Sequence, residues 1–245
     1  VWDHVFSLQQ LGYAQAAYCI EAFNSWDCGA VCDALPPLND LKIIKANQTK
    51  GLAFVGWYPG DGDGVPVIMV SFRGTLSRYF QNWWSDLSSI RPQATTYCPL
   101  PGCKVGGGFL TAYNSLLAQG LLEQIKAVNR TAMSFASNQS VAPHVRIVGH
   151  SLGGALASLC AIHLYQNGVR LDSAVTFGSP RTGNPQFAEW YSRVVFNFTR
   201  YVFRVTHYRD PIIHMPPYVP YLTLFQHVPR EAVLSLNIAF QARCL

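Results

Sequence analysis

The chain has 245 residues, of which 49% are hydrophobic and only 13% charged, about half the charged share of an average soluble domain. This excludes a disordered chain and a coiled coil, and the length allows one α/β domain with a large core. The formal net charge is +5, but the basic residues are scattered with no run of three, so no basic stripe for nucleic acid is present.

In chain order, Leu8, Leu11, Gln15 and Tyr18 at helical spacing predict an opening helix over about 7–23. Strand-like runs follow at Leu41–Ala46, Gly51–Tyr58 and Val65–Phe72. Between the last two, Pro59-Gly60-Asp61-Gly62-Asp63-Gly64 reads as a hairpin turn, because it lacks the third acid of a calcium loop. A long helix is expected from Leu110 to about Met133, then a short strand Val145–Gly149 and a helix Leu152–Gln166. Another strand is expected at Ala174–Phe177. Asn184-Pro185 opens a further helix, with Asn as cap and Pro at the first position. Tyr201–Thr206 is a strand. The pattern is antiparallel hairpins in the first third, then alternating strands and helices: a mixed, mostly parallel sheet with helices on both faces.

Two stretches lack charge, Ile147–Val169 and Pro211–Pro229, but glycines and His150 interrupt the first and prolines the second, so no transmembrane segment is expected. The chain opens on Val1 with no charged-then-apolar leader in view. Seven cysteines lie at spacings unlike a zinc site, and no metal is expected. Sequons stand at Asn47, Asn129, Asn138 and Asn197. Cysteines and sequons together favour an oxidising compartment: secretion or the secretory lumen.

The strand Val145-Arg146-Ile147-Val148 runs into Gly149-His150-Ser151-Leu152-Gly153-Gly154, a G-x-S-x-G between strand and helix. Such a turn lifts the serine hydroxyl above the sheet, and glycines two residues to either side let neighbouring backbone approach. The serine also opens a helix, where free N–H groups favour developing negative charge. A serine nucleophile needs a base and an orienting acid, which follow it as acid then histidine in this arrangement. Asp172 opens a strand at the wrong end of the sheet and Glu189 lies mid-helix. Asp210 follows a strand at its carboxyl end and leads as the acid. His163 reads as a packing or surface residue and His207 precedes the acid. His214 is only four residues beyond Asp210, whereas His227 is on a separate segment and is favoured as the base on chain order.

The sequence resembles the class 3 lipases, fungal-type triacylglycerol lipases of the α/β-hydrolase fold, over nearly its whole length. The residues that carry the resemblance are Tyr18-Cys19, Trp26-Asp27-Cys28 and Cys32-Asp33-Ala34, then Phe72-Arg73-Gly74-Thr75 with Asn82-Trp83 and Asp86-Leu87. The elbow at 149–154, Gly178-Ser179-Pro180-Arg181 with Gly183-Asn184, Asp210-Pro211 through Pro217, and Phe225-Gln226-His227 complete it. The resemblance implies Ser151, Asp210 and His227 as the triad and Thr75 and Leu152 as oxyanion donors. It departs at Ile213, where a proline is common, at Pro229, where a glycine usually follows the catalytic histidine, and at Gly106-Gly107-Gly108, where a histidine is frequent. It suggests pairing Cys19 with Cys244 and Cys28 with Cys32, leaving Cys98 with Cys103. Cys160 reads as a buried free thiol.

One residue after Thr75 begins a stripe, Leu76, Tyr79, Phe80, Trp83, Trp84 and Leu87, spanning about 140° of a helix. A helix there, about 76–88, would act as a lid: closed, it covers the serine, and opened at a lipid–water interface it presents aromatic rings to lipid. The expectation is therefore a single 1–245 hydrolase domain without a cofactor, a monomer that is secreted and meets lipid at an interface. Its reaction would be hydrolysis of acylglycerol esters through an acyl-enzyme. Esterase action on soluble or aryl esters such as feruloyl esters, or phospholipase A1 action, is the same-family alternative. A catalytically dead scaffold would predict a broken triad, and every triad position is filled.

Overall fold

The computed structural model describes residues 3–19, 26–76, 92–94, 96–136, 140–207, 210–216 and 225–234. Helix α1 (His4–Cys19) opens the chain, followed by a short α2 (Ala30–Asp33). Strands β1 (Asn39–Ala46), β2 (Gly51–Tyr58) and β3 (Val67–Phe72) form antiparallel hairpins. From β3 onward the sheet is parallel, through β6 (His144–His150), β7 (Leu171–Phe177), β8 (Tyr201–His207) and β9 (Glu231–Leu234). The seven strands lie in the order β1-β2-β3-β6-β7-β8-β9. A separate ribbon pairs β4 (Pro92–Ala94) with β5 (Lys104–Gly106). This is the mixed, mostly parallel sheet that the alternation of elements predicts. The β4–β5 ribbon and β9 are short, and no periodicity marks them.

Alternation along β2 explains the layers. Leu52, Phe54 and Tyr58 point to one face with Tyr13, Ala14 and Ala17 of α1. Ala53, Val55 and Trp57 point to the other, which α3 (Gly107–Ala118), α4 (Leu121–Phe135) and α5 (Leu152–Gln166) cover. All eight β2 residues are buried, as a strand sandwiched between helical layers must be. Among the described residues no helix is long and apolar enough to cross a membrane.

The long helix expected over 110–133 is two helices. Gly120 has φ 85° and its N–H bonds to the Leu117 carbonyl at 2.9 Å, a left-handed stop that a residue with a Cβ resists. The cap of α6 (Pro185–Tyr191) is as read: the Asn184 side chain accepts from the Phe187 N–H at 3.1 Å. The 59–64 turn joins antiparallel β2 and β3, with its acids engaged. Asp61 accepts from Arg146 Nη2 at 2.6 Å, and Asp63 lies 3.1 Å from His144 Nε2.

Disulfides join Cys28 to Cys32 and Cys98 to Cys103, and Cys160 is a buried free thiol. Cys19 is disulfide-bonded as well. Cys244, its expected partner, lies outside the described residues, as do the lid residues Tyr79, Phe80, Trp83, Trp84 and Leu87.

Candidate active site

Ser151 stands between β6 and α5 with φ 55° and ψ −128°, a backbone state that L-residues rarely adopt. Steric contacts hold it there. A Cβ on Gly149 would lie 2.2 Å from the Gly153 carbonyl oxygen, and one on Gly153 would lie 2.1 Å from that of Phe72. Both glycines of the elbow are therefore demanded by backbone passing over them. The Ser151 N–H bonds to the Phe177 carbonyl at 2.9 Å, so the turn is tied to the end of the neighbouring strand β7. The side chain is buried, and among the described residues its hydroxyl has no hydrogen-bond partner.

Gly74 passes directly over this turn. A Cβ there would meet the Tyr18 hydroxyl at 2.2 Å, the His150 carbonyl at 2.5 Å and the Ser151 Cβ at 3.0 Å. Thr75 follows at once, and its hydroxyl oxygen is buried without a hydrogen-bond partner. Leu152 opens α5, so its N–H lies in the first turn, where no intrahelical acceptor exists. Leu76, the first residue of the predicted lid stripe, is half-buried.

Asp210 sits just beyond β8. It caps the 3₁₀ turn Pro211–His214, accepting from the Ile212 N–H at 2.9 Å. Its other carboxylate oxygen lies 2.7 Å from where a Gly178 Cβ would be, immediately after the Phe177 that holds Ser151. Burial raises its pKa, opposed by the Ile212 N–H and by nearby His207 and His214. Asp172 lies instead at the opposite end of the sheet, paired with Arg146 Nε at 2.7 Å. His163 packs against Tyr113, its Nδ1 3.1 Å from the hydroxyl.

His227 is reached from β9's side. Its Nε2 bonds to the Ile213 carbonyl at 2.5 Å, and its Nδ1 is buried with no partner. Burial pushes its pKa down to about 4, helped by the Arg204 charge and opposed by the Ile213 carbonyl. The ring is therefore neutral at pH 7, as a general base requires. Among the described residues no hydrogen bond joins His227 to Asp210. The structure thus brings Thr75, Leu152 and Asp210 to the elbow, and leaves His227 turned onto a backbone carbonyl. Exposed His214 has its carbonyl bound by Arg181, which also donates to the Pro216 carbonyl at 2.8 Å. Arg181 thereby pins the loop that carries Ile213.

Sequence reasoning gave no site role to Tyr18 or Gly178. Tyr18 shows in the sequence as a residue of the opening helix and the neighbour of Cys19, and no local pattern ties it to a turn 132 residues away.

The sheet order and the serine elbow define an α/β-hydrolase. The family signature described as lipase (class 3) matches residues 69–219. The chain is 35% identical over 200 residues to a lipase of Rhizomucor miehei, covering 79% of this chain and 48% of that protein. It is 31% identical over 215 residues to secreted mono- and diacylglycerol lipase 1 of Fusarium solani, covering 85% and 58%. A solved triacylglycerol lipase whose catalytic centre is formed by a serine protease triad superposes with a TM-score of 0.63 at 32% identity, covering 87% of this chain and 74% of that one. The chain spans about half the length of the first two curated relatives it matches, 48% in each case. It belongs to the class 3 lipase family.

Proposed function

We propose that this protein is a secreted lipase that hydrolyses the carboxylic esters of acylglycerols through an acyl-enzyme on Ser151. The observation that carries the reading is the placement of Thr75. Its hydroxyl is buried without a partner beside a serine held at φ 55° on a helix N-terminus. An unpaired buried hydroxyl costs about 1–3 kcal/mol, and an oxyanion is the acceptor it lacks.

In the proposed reaction Ser151 Oγ attacks the ester carbonyl and its proton passes to His227. The carbonyl oxygen, now an anion, takes hydrogen bonds from the Thr75 N–H and hydroxyl and the Leu152 N–H. The C–O bond to the alcohol breaks as His227 returns the proton to that oxygen. Water then attacks the acyl-serine by the same route, releasing the carboxylic acid and restoring Ser151. Asp210 stabilises the transient imidazolium. For this, His227 must leave the Ile213 carbonyl and turn Nδ1 to Asp210. The buried, partnerless Nδ1 is in keeping with a ring that has a second position.

Interfacial activation is part of the proposal. The apolar stripe from Leu76 to Leu87 starts one residue after Thr75 in the sequence, so a helix formed by it would cover the serine when closed and meet lipid when open. The test compares an emulsified long-chain triacylglycerol with a soluble short-chain p-nitrophenyl ester, in wild type and in Trp84→Asp. The variant should lose activity on the emulsion far more than on the soluble ester. Equal losses, or no rise in wild-type rate past the solubility limit, would remove the lid from the reading. Faster turnover of soluble feruloyl esters than of emulsions would replace lipase with esterase.

A further inference from the structure

The candidate site occupies the carboxyl ends of the strands. At the opposite end, where β6 starts at His144, β7 at Leu171 and β8 at Tyr201, a groove of about 860 Å³ opens. Val145, Val169, Leu171 and Phe198 give it an apolar lining. Four cations border it: Lys126 and Arg130 from α4, Arg170 from the turn before β7, and Arg200 before β8. All four are exposed. Among the described residues none has a carboxylate partner; Arg200 lies only over the Tyr201 ring, at 4.9 Å. The acid in the groove, Asp172, is already held by Arg146 at 2.7 Å, and His144 by Asp63 at 3.1 Å.

A smaller cavity of about 370 Å³ opens beside it and shares Val169, Arg170, Leu171 and Phe198. Tyr165, Gly168, Val194 and Thr199 complete its lining. Phe198 is 56% exposed and Tyr165 37%, and their rings stack at 5.8 Å. Both volumes lie within the range of small-molecule sites, which are apolar with a few polar groups that fix orientation.

Cations without counter-charges repel one another and attract an anion, while exposed aromatic rings over an apolar cleft gain by burial. A polyanion would satisfy the cations and leave the cleft wet. A neutral lipid would fill the cleft and leave the cations unmatched. One chemistry answers both features: a single anionic head on an aliphatic tail. We propose that this face binds a long-chain carboxylate as a monomer. Its head lies among Arg170, Arg200, Lys126 and Arg130, and its tail runs along Val169 and Val194 beneath the Tyr165–Phe198 pair. A long-chain carboxylate is also what the proposed reaction releases, so the site would sense product; that link alone rests on the lipase reading.

Asn129 lines the groove and heads a sequon, so a glycan on it would take the same space. The test labels the full-length protein with a photoactivatable diazirine fatty acid below its micelle concentration and maps the labelled peptides. Label is expected on the segments holding 165–171 and 194–200, competed by oleate but not by oleyl alcohol or sulfate. Arg170→Glu with Arg200→Glu should reduce that label at least tenfold with soluble-ester hydrolysis unchanged, and the milder Arg170→Gln with Arg200→Gln should reduce it partly. Label confined to the Ser151 region, equal competition by oleyl alcohol, unaltered labelling in both variants, binding only to anionic vesicles, or a glycan on Asn129 would each overturn the proposal. Since labelling does not depend on turnover, a protein that takes the label but hydrolyses no ester would sink the lipase reading and leave this one standing.

Discussion

The Tyr18 hydroxyl lies 2.7 Å from Nδ1 of His150, joining the last turn of the first helix to the residue before the candidate nucleophile. The Gly74 N–H donates to the same phenol oxygen. One hydroxyl thus ties the elbow to the backbone that leads into Thr75.

Replacing Tyr18 by Phe keeps the ring and removes both bonds. Stability should fall by about 1–3 kcal/mol, because buried polar groups lose a partner. Turnover of a soluble ester should fall at nearly constant KM, because Thr75 is less firmly held. Denaturant melts and steady-state kinetics read the two effects. An unchanged kcat would mean that the bond only packs α1 against the sheet.

Thr75→Val separates catalysis from folding. Its hydroxyl has no partner in the resting structure, so removing it should leave the melting temperature equal or slightly raised. If the hydroxyl meets the oxyanion, kcat should drop by about 100-fold, roughly 3 kcal/mol. Loss of stability without loss of kcat would contradict the assignment.

Ser151→Ala, His227→Ala and Asp210→Asn should each reduce turnover by roughly 10⁴- to 10⁶-fold with the fold preserved. His214→Ala should remain active, because Arg181 binds that residue through its backbone carbonyl, which alanine retains. A dead His214→Ala beside an active His227→Ala would exchange the base. Circular dichroism of each variant guards against unfolding.

Part of the pH dependence of stability follows from His150, beside the similarly depressed His227. Deep burial pushes the His150 pKa from 6.5 down to about 3. The unfolded chain then binds a proton between those values that the folded chain refuses, so stability is full above about pH 6.5 and declines as pH falls toward 3. Between pH 6.5 and 5 the loss should be up to about 2 kcal/mol. His150→Gln should flatten that slope relative to wild type, which thermal melts across the range would reveal. A wild-type slope unaltered in His150→Gln would place the titration elsewhere.

The catalytic pH profile should follow His227. The base works only when neutral, and its pKa is lowered by burial and by the Arg204 charge. The acid limb of kcat/KM should therefore lie below the ordinary imidazole value of about 6.5. A limb at or above it would mean that pairing with Asp210 outweighs burial in the working enzyme.

What could be read from the sequence was what short segments decide. The strand–turn–helix around Ser151 is legible because Gly149 and Gly153 collide with backbone only a few residues away, or on the next strand, if they carry a Cβ. The parallel part of the sheet is legible because alternation of apolar runs with helices leaves the chain few other ways to pack. The Asn184 cap is a contact across three residues. Tertiary structure alone decided the rest, because those contacts join residues that no sequence window contains. The short β9 is a strand through its parallel pairing with β8, where Glu231 also meets Arg204 and Thr206 at 2.9 and 2.8 Å. His227 is turned by a carbonyl 14 residues earlier, and Tyr18 reaches the elbow across 132 residues. The cationic groove exists only because three strand starts and α4 converge. Sequence spacing records local sterics and periodicity, whereas distances between remote side chains are set by the sum of all packing, which no single segment encodes.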